Sequence, residues 1–598
     1  MKINIYTNRI TLILALIIVL CIAVFYCGTF TGKFICDDNS IINENPFTSK
    51  LSNLKHLFTD KYFDSSGELT YRPVGTLSYF LDYAIAGHTP FWYRLHNLIL
   101  HMIFTISLMS LLLSLKVKRL AAFFGALIFA LHPINVESVC VPSFREEVYA
   151  GIFFIWALLL LINRKYFWAG ISFFLALLSK EMAVSFILIA GLYELLFRQN
   201  DIAFLTEKAK IFEPSGIARR YAWILMSLIL YLFIRFSVMY APYESNVQYA
   251  HLGLFDRLCT QGQVFTHFVK NILWPVKLDP EYIFQWHKTI FSPDVWPHYL
   301  FIITIILLAV LLSKKRPVIS LGIFWFYITL LPVSNIFPLE HLGADRYLYI
   351  PMTGFSILIA GTIDTTGVRS RKYVYAAAII LAVFFGILTF QRAWDFNNPL
   401  SLWTNAVKKS PNVVRIRNNY SNALFKAGKI DEAEKEFNTV LKLHPDYPGA
   451  LRTLGYISEL KGNYDKATAY YKRLLKICPK DHYGYYNLGN VYQKTGRTNE
   501  AINAFNKALE CKDDYPEAYI NLGVLYNSMG EQDKAVFCFE KAVEIAPYMS
   551  LAYNNLGVLY YRMNMPGKAR KMFLKALELN RNDKLAARNL NKINKTLK

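Results

Sequence analysis

The chain has 598 residues, of which 54% are hydrophobic and 16% aromatic, and its formal net charge is +22. That apolar content excludes an ordinary soluble protein, whose average composition is less hydrophobic. The cations lie in short clusters between apolar segments and in the C-terminal third. They form no basic run interleaved with aromatic residues, so we expect no nucleic-acid partner. The cysteines form no CxxC pair, and we expect free thiols and no cofactor, with a divalent metal ion left open.

The first two thirds of the chain contain many charge-free windows long enough to cross a bilayer as helices. No small-residue cleavage site follows the first window, so we expect an uncleaved membrane helix rather than a signal peptide. Lys and Arg clusters flank alternate windows, and the positive-inside rule places those clusters in the cytoplasm. Together these features predict about eleven spans, at 10–29, 95–115, 119–132, 148–162, 166–179, 183–197, 221–240, 298–313, 317–337, 347–363 and 373–391.

One segment, 257–275 ("RLCTQGQVFTHFVKNILWP"), is ambiguous. Its mixed polarity is compatible with an amphipathic interfacial helix or with a re-entrant element, and we leave it outside the count. An odd number of spans places the C-terminal region outside the cytoplasm. An additional span at 257–275 would reverse that prediction.

The C-terminal third consists of a repeat with a step of 34 residues, seen in "LGYISELKGNYDKATAYY" from 454 and "LGNVYQKTGRTNEAINAF" from 488. Small residues recur where two helices would cross closely, and an aromatic residue four positions later would fill the gap between them. This is the tetratricopeptide pattern, which predicts a helical solenoid with a concave groove. The recurring residues are Ala433, Ala467, Ala501, Ala535 and Ala569, then Phe437, Tyr471, Phe505, Phe539 and Phe573.

These features predict an all-α protein with four segments. A polytopic membrane domain covers 1–393, and a linker covers 394–412. Five tetratricopeptide repeats cover 413–582, and a capping helix covers 583–598.

Polar residues gather at the predicted outer ends of the spans. The stretch "FICDDNSIINENP" places Asp37 and Asp38 directly after the first span. Ionisable groups close to the hydrocarbon are costly and usually face a functional cavity. The others at this level are Arg72, Asp82, His132, Glu137, Arg145, Glu146, Glu147, Lys180, Glu181, Asp345 and Arg346.

Carboxylates and cations at one level suit transfer of a sugar from a lipid phosphate. A carboxylate takes the proton from an attacking hydroxyl, and Lys or Arg neutralises the departing phosphate. Asp37 or Asp38 is the candidate base. The candidate contacts to phosphate or sugar are Arg72, Glu137, Arg145, Lys180, Glu181, Asp345 and Arg346. The glycine-rich loop of a soluble nucleotide-sugar enzyme is absent from the sequence.

Each of these residues also has a structural interpretation. The two aspartates are equally typical of a turn or helix cap. Arg72 would anchor the outer loop by pairing with Asp82. Lys180 with Glu181, and likewise Asp345 with Arg346, would form internal ion pairs between neighbours in sequence.

Five stretches carry a resemblance to a known family: "CDDNSIINENP", "YRPVGTLSYFLDYAIAGHTPFWYRLHNLILH", "LHPINVESV", "LSKEMAV" and "ADRYLYIP", followed by the repeats. In this order they resemble the transmembrane and tetratricopeptide-repeat-containing O-mannosyltransferases of animals and their prokaryotic relatives. That family has the C-type membrane glycosyltransferase fold. One departure is "SFREEVY" after "LHPINVESV", where the family often has Gly-Arg-Lys/Arg-Asp. The lost glycine leaves the role of Glu146 more open than that of Arg145.

The resemblance implies a polyprenyl-phosphate-linked sugar donor and transfer on the extracytoplasmic side, commonly with inversion. It maps the family's first-loop acidic motif onto Asp37 and Asp38. We therefore expect a multi-pass membrane enzyme that moves a sugar such as mannose to an acceptor hydroxyl, with protein Ser or Thr as the first candidate. The membrane would be the bacterial inner membrane, or the endoplasmic reticulum in a eukaryote, with the repeats outside the cytoplasm.

Two alternatives remain open at this point. In one, the acceptor is a glycan or lipid, and the repeats recruit other assembly proteins. In the other, the chain is a non-enzymatic repeat scaffold that the membrane spans only anchor. A scaffold needs few spans and no polar cluster at one membrane level, and the sequence argues against it.

Overall fold

The computed structural model describes residues 9–43, 45, 47–59, 71–198, 217–238, 253–282, 284–336 and 342–596. Over these ranges the chain is helical with no strand, which confirms the all-α prediction. The chain divides into two compact units, Met1–Ser410 and Pro411–Lys598.

The first unit contains apolar helices joined by short turns, several of them 3₁₀ turns that carry the polar residues of interest. In chain order the α-helices are α1 (Arg9–Phe25), α2 (Pro73–Ala86), α3 (Pro90–Ser114), α4 (Arg119–Leu131), α5 (Val136–Cys140), α6 (Arg145–Ile162), α7 (Tyr166–Ser179), α8 (Phe186–Phe197), α9 (Ile217–Val238), α10 (Leu254–Leu273), α11 (Trp296–Leu312), α12 (Pro317–Leu330), α13 (Met352–Asp364), α14 (Arg371–Asp395) and α15 (Pro399–Lys409).

A helix overlaps each of the segments predicted to span, but the helices differ in their fitness to cross a bilayer. Among the described residues, Pro90–Ser114, Arg220–Val238 and Arg371–Asp395 are both long and apolar enough to do so. The pair Arg119–Leu131 and Pro133–Cys140, bent by 48°, would be a fourth. Five further apolar helices among the described residues have 17 residues or fewer, and α6 has 18 residues but begins with the charged residues Arg145, Glu146 and Glu147. The count of eleven therefore stays a prediction.

Two glycines bring the backbones of α12 and α13 into direct contact. A Cβ placed on Gly322 would lie 2.6 Å from the carbonyl oxygen of Gly354, and one on Gly354 would lie 2.5 Å from that of Gly322. Small residues at such crossings let membrane helices pack closely, which compensates for the weak hydrophobic drive between helices in lipid. This crossing fixes the start of α13, which three residues separate from the preceding 3₁₀ turn Asp345–Leu348.

The second unit is built from helix pairs, as the repeat predicted. Its helices are α16 (Val414–Lys426), α17 (Ile430–Leu443), α18 (Pro448–Leu460), α19 (Tyr464–Ile477), α20 (His482–Lys494), α21 (Thr498–Cys511), α22 (Pro516–Ser528), α23 (Gln532–Ile545), α24 (Ser550–Arg562), α25 (Pro566–Leu579) and α26 (Lys584–Thr596).

Each repeat turns between its two helices at a residue with a left-handed backbone. Gly428, Gly462, Gly496 and Gly530 have φ of 78°, 75°, 73° and 80°, and Asn564 takes the equivalent place with φ of 60°. Glycine and asparagine are the residues that adopt this conformation most readily, so the turn is fixed locally. The recurring alanines and aromatics are buried between the helices.

Candidate active site

Asp38 is fully buried and ties the first outer loop to the body of the first unit. Its Oδ2 accepts a hydrogen bond from the backbone N–H of Ile35 at 2.9 Å, and its Oδ1 accepts one from Ser143 at 2.8 Å. Ser143 belongs to the 3₁₀ turn Pro142–Phe144, which directly precedes α6. Both oxygens of Asp38 are therefore engaged within the protein.

Burial raises the pKa of Asp38 to about 6, although its backbone hydrogen bonds and the charge of Arg94 act in the opposite direction. The carboxyl is consequently ionised at neutral pH and takes up a proton as the pH falls through about 6. Its two hydrogen bonds hold the first outer loop against the turn before α6.

Asp37 occupies a different environment from its neighbour. Its side chain is exposed, and it follows Cys36, whose φ of 49° is uncommon for a residue with a side chain. Its neighbour Asp38 bonds Ser143, and the ring of the next residue, Phe144, lies 4.6 Å from the guanidinium of Arg346, so Asp37 belongs to the same part of the site as Arg346. Of the two aspartates, Asp37 is the one exposed to solvent.

Arg346 is held by Glu137. Its Nη1 donates to Oε1 of Glu137 at 2.7 Å, and its backbone N–H donates to Oε2 at 3.2 Å. Its guanidinium lies over the ring of Phe144, 4.6 Å from the centroid, and near that of Tyr347 at 5.4 Å. Its Nε and Nη2, which form one edge of the guanidinium, donate to no atom in the described part of the chain.

A second cluster lies where α2 and α6 meet the turn before α8. Arg72 donates to both oxygens of Glu181, at 3.1 Å and 3.4 Å, and also to Glu146. Lys180 bonds Glu147, and its Nζ lies 3.8 Å from Glu146. Burial raises the pKa of Glu181, but Arg72 outweighs it and holds that pKa at about 2. The two cations of this cluster face three carboxylates.

Tyr347 connects the two clusters. Its ring lies beneath Arg346 and 5.9 Å from Nζ of Lys180. The candidate site therefore has a first cluster containing Asp37, Asp38, Glu137 and Arg346, and a second one containing Arg72, Lys180 and three glutamates.

The expected pairing between sequence neighbours is wrong. Lys180 has extended backbone and Glu181 begins a 3₁₀ turn, so their side chains point apart and each finds another partner. Asp345 and Arg346 lie in the same 3₁₀ turn, Asp345–Leu348. Because a 3₁₀ helix has three residues per turn, successive side chains point in different directions. Asp345 instead accepts from Arg392 at 2.6 Å.

The expected pair between Arg72 and Asp82 is also wrong, because Asp82 bonds Arg145. Nη1 of Arg145 donates to Oδ2 of Asp82 at 2.5 Å and to Ser78 Oγ at 3.0 Å, and Nη2 donates to the carbonyl of Tyr93 at 3.0 Å. Arg145 is fully buried, with the ring of Tyr79 5.0 Å from its guanidinium carbon. Its guanidinium faces protein groups rather than the open part of the site.

Sequence reasoning missed Arg94, which supports the first loop. Arg94 is fully buried on α3 and donates to the hydroxyl of Thr29 at 3.0 Å, the carbonyl of Lys33 at 2.5 Å and that of Phe396 at 3.0 Å. The signal was present, since a lone arginine inside the apolar stretch "FWYRLHNLILH" requires internal partners. Arg392, near the end of α14, is a second arginine that the sequence analysis missed, and it donates to Asp345.

No group of three or more His, Cys, Asp or Glu side chains among the described residues is arranged to hold a metal ion. Of the cysteines, Cys27 and Cys36 are exposed and all eight are free.

The fold and the site define a helical protein with membrane-type helices, a cluster of paired charges and a tetratricopeptide solenoid. Profiles described as tetratricopeptide repeat match residues 404–482, 483–548 and 550–583. Together they confirm the repeat assignment.

Curated relatives confirm the family resemblance. The chain is 24% identical to the human protein O-mannosyl-transferase TMTC3 over 76% of this chain and 53% of that protein. It is also 24% identical to human TMTC2 (70% and 60%) and to the O-mannosyl-transferase F38B6.6 of Caenorhabditis elegans (71% and 61%). The chain thus spans about half the length of the curated relatives it matches.

Among solved structures, the crystal structure of MamA matches 27% of this chain and 94% of its own, with 30% identity and a TM-score of 0.26. The tetratricopeptide protein YrrB matches 31% and 96%, with 23% identity and a TM-score of 0.27.

Proposed function

We propose that this protein is a membrane glycosyltransferase that moves a sugar from a polyprenyl-phosphate donor to a hydroxyl of a protein Ser or Thr. The names of its relatives support mannose as the sugar and protein as the acceptor. The observation that carries the proposal is a cluster of an exposed carboxylate, Asp37, and an arginine, Arg346, which Glu137 holds and whose Nε and Nη2 donate to no other described atom.

In this mechanism Asp37 is the general base. It accepts the proton of the acceptor hydroxyl as that oxygen attacks the anomeric carbon of the sugar. The bond from the anomeric carbon to the phosphate oxygen breaks, and its electron pair leaves with the phosphate. Because attack comes from the face opposite the leaving group, the sugar is inverted.

Arg346 stabilises the charge that develops on the departing phosphate. Its free Nε and Nη2 offer the parallel donors that suit a phosphate, and Glu137 fixes the guanidinium by holding Nη1 and the backbone N–H. Glu137 and Asp38 are positioning residues in this account, since both are buried and already hydrogen-bonded.

Arg72, Lys180 and Glu181 hold the rim of the site together. All three polar groups of Arg72 and the ammonium of Lys180 are engaged by carboxylates, so a phosphate would have to displace an existing partner. We propose that these residues fix α2 and α6 against the turn that contains Glu181. The exposed parts of their side chains would contact the sugar hydroxyls.

The helix α10 supports an outer location for the site and the repeats. Near its start, Arg257 donates to the carbonyls of Asn335 and Ile336 at 3.0 Å and 2.9 Å. At its end, the carbonyl of Ile272 accepts from His132 at 2.9 Å. Asn335 and Ile336 follow α12, and His132 follows α4. The distribution of Lys and Arg predicts that both helices cross from the cytoplasm to the outside.

These contacts support the same membrane level for both ends of α10, and we therefore assign 257–275 to the interface rather than to a span. The number of crossings stays odd, and the repeats are extracytoplasmic.

Cysteine labelling tests this sidedness. In a chain whose native cysteines are replaced by serine, we expect an impermeant maleimide to label Asn503→Cys, on the exposed face of α21, in intact cells or sealed vesicles. Lys315→Cys, in the exposed turn before α12, is the matched control and should be labelled only after permeabilisation. The reverse pattern would place the repeats in the cytoplasm.

Mass spectrometry of envelope proteins tests the activity itself. Cells that carry the chain should show hexose on Ser or Thr of envelope proteins, and cells that carry the Asp37→Asn chain should not. If only glycans or lipids changed and the proteins stayed unmodified, the acceptor would be a glycan or lipid and not a protein. If neither proteins, glycans nor lipids changed, the proposed glycosyltransferase activity would be wrong.

A further inference from the structure

A groove between α7 and α9 lies outside the site described above. Its volume is about 120 Å³, and its walls are almost entirely apolar. Among the described side chains that line it, Ser227 carries the one hydroxyl, and that hydroxyl donates to the carbonyl of Gly170 at 2.8 Å. A ligand of the groove therefore has to be apolar. The large side chains along the walls are Phe167, Ile171 and Phe174 on α7 and Trp223, Met226 and Leu230 on α9.

The two helices run side by side in the same direction. Near their starts, the rings of Phe167 and Trp223 lie 4.9 Å apart, and the bond from Ser227 to Gly170 lies further along both helices. Gly170 allows this close approach, since a Cβ there would lie 2.9 Å from the carbonyl oxygen of Trp223. The starts of α7 and α9 therefore lie at the same end of the groove. The distribution of Lys and Arg predicts that this end faces the cytoplasm.

The groove opens outward and not toward the core of the first unit. Phe167, Met226 and Leu230 are 45%, 51% and 46% exposed, and α9 is among the helices long and apolar enough to cross a bilayer. From Trp223 to Leu230 the groove extends about 10 Å along α9, at 1.5 Å per residue. A bilayer supplies hydrocarbon at this depth, so a lipid chain is the ligand that fits.

Two exposed cations lie at the cytoplasmic end of the groove. Arg164 and Lys165 directly precede α7, and neither forms an ion pair with any residue that the structure describes. Lys165 is two residues before Phe167, the first residue of α7 in the wall of the groove. A negative headgroup at this end would therefore meet unpaired positive charge.

Two further arginines fix the position of this end. Glu194, on α8, accepts from Arg198 at 2.9 Å and from Arg220, on α9, at 3.0 Å. Arg198 also donates to the carbonyl of Ile162, the last residue of α6, at 3.0 Å. These bonds hold the turn with the two exposed cations beside the start of α9. Among the described residues, four cations and one carboxylate gather there, so positive charge is in excess.

We propose that the groove between α7 and α9 binds an anionic phospholipid of the cytoplasmic leaflet. One acyl chain lies in the groove, and the headgroup phosphate lies against Arg164 and Lys165. Charge complementarity selects this ligand, because anionic lipids are found in the cytoplasmic leaflet and basic residues beside membrane helices attract them. A zwitterionic lipid would fill the same groove but would leave the excess positive charge in place. Binding at this face does not depend on the proposed transfer of sugar.

Binding of defined lipids to the purified full chain in detergent tests the site. The probes are phosphatidylglycerol and phosphatidylcholine with identical acyl chains, and native mass spectrometry measures the fraction of protein that retains one lipid. The charge variant carries Arg164→Gln and Lys165→Gln, and the groove variant carries Met226→Trp, whose larger side chain fills the groove from its exposed side. The control carries Lys314→Gln and Lys315→Gln, which are exposed on the same predicted membrane face, before α12.

We expect the wild type and the control to bind phosphatidylglycerol more tightly than phosphatidylcholine. The charge variant should bind phosphatidylglycerol about 25-fold more weakly than the wild type, since each Lys or Arg near an anionic headgroup contributes about a fivefold factor. The groove variant should lose tight binding of both lipids, because the indole ring takes the place of the acyl chain.

Equal affinity of the wild type for both lipids would overturn the proposal, and so would an unchanged affinity for phosphatidylglycerol in the charge variant. Unchanged binding in the groove variant, or an equal loss in the control, would reduce the effect to general surface charge and would also overturn it. Displacement of phosphatidylglycerol by an equal amount of polyprenyl phosphate would assign the groove to an isoprenoid chain instead. Circular dichroism and thermal melting verify that each variant is folded.

Discussion

Replacement of Asp37 by Asn is expected to lower the rate constant of sugar transfer by about 10²–10⁴-fold, the usual contribution of a general base. Asn has nearly the same size, but it does not accept the proton of the acceptor hydroxyl. Because Asp37 is exposed, we expect the variant to fold and to bind donor and acceptor with little change. The measurement is transfer from a purified polyprenyl-phosphate sugar to a Ser-containing peptide.

Asp38→Asn is the matched control because its expected effect has another origin. Asn provides only one acceptor oxygen, so either the N–H of Ile35 or that of Ser143 would face an NH₂ group. Leaving a buried group unsatisfied costs about 1–3 kcal/mol, and we expect a lower melting temperature together with a partial loss of activity.

The two variants assign the base between them. Full activity in Asp37→Asn, together with complete loss in Asp38→Asn at an unchanged melting temperature, would make Asp38 the base. Loss in both, each at an unchanged melting temperature, would also contradict the division of roles that burial indicates.

The repeats could be predicted from sequence because their pattern is local and is written five times. Each turn needs one left-handed residue, and each helix pair needs a small residue opposite an aromatic ring, so Gly496, Ala501 and Phe505 already specify their unit. Local rules of this kind do not depend on the rest of the fold. The number of membrane crossings is harder to predict from the sequence, because several apolar helices are short and α4 is followed by a second helical segment bent by 48°.

The charged residues of the two clusters are visible in the sequence, but their partners are not, and their roles stay predictions. Isolated charges beside apolar segments are visible in the sequence, which identified Asp37, Glu137 and Arg346. Their pairing depends on contacts between distant segments, since Arg346 bonds a residue 209 positions away and Arg72 one 109 positions away. The sequence suggests ion pairs between adjacent residues such as Asp345 and Arg346. In a 3₁₀ turn, however, adjacent side chains point in different directions, and each pairs elsewhere.

The arginines Arg145 and Arg346 look alike in sequence, yet we expect opposite effects when each is replaced by Lys. Arg346→Lys keeps the charge that compensates the buried Glu137 but removes the planar pair of donors. We expect an unchanged melting temperature and a fall in kcat of about 10²-fold, of the order seen when one transition-state donor is lost. The KM for the donor should change less than kcat, because the charge on the phosphate develops as the bond breaks.

Arg145→Lys should instead affect stability. Arg145 has its N–H groups on Asp82, Ser78 and the carbonyl of Tyr93, and a Lys ammonium does not reach all three from the same stem. Each buried group left without a partner costs about 1–3 kcal/mol, so we expect a clearly lower melting temperature. The molecules that remain folded should transfer sugar with nearly wild-type kcat, since the guanidinium faces protein groups. Measuring kcat and melting temperature for both variants shows which of the two arginines acts in transfer and which acts in stability. If Arg145→Lys lost kcat at an unchanged melting temperature, Arg145 would contact the phosphate, and the assignment of that role to Arg346 would be wrong.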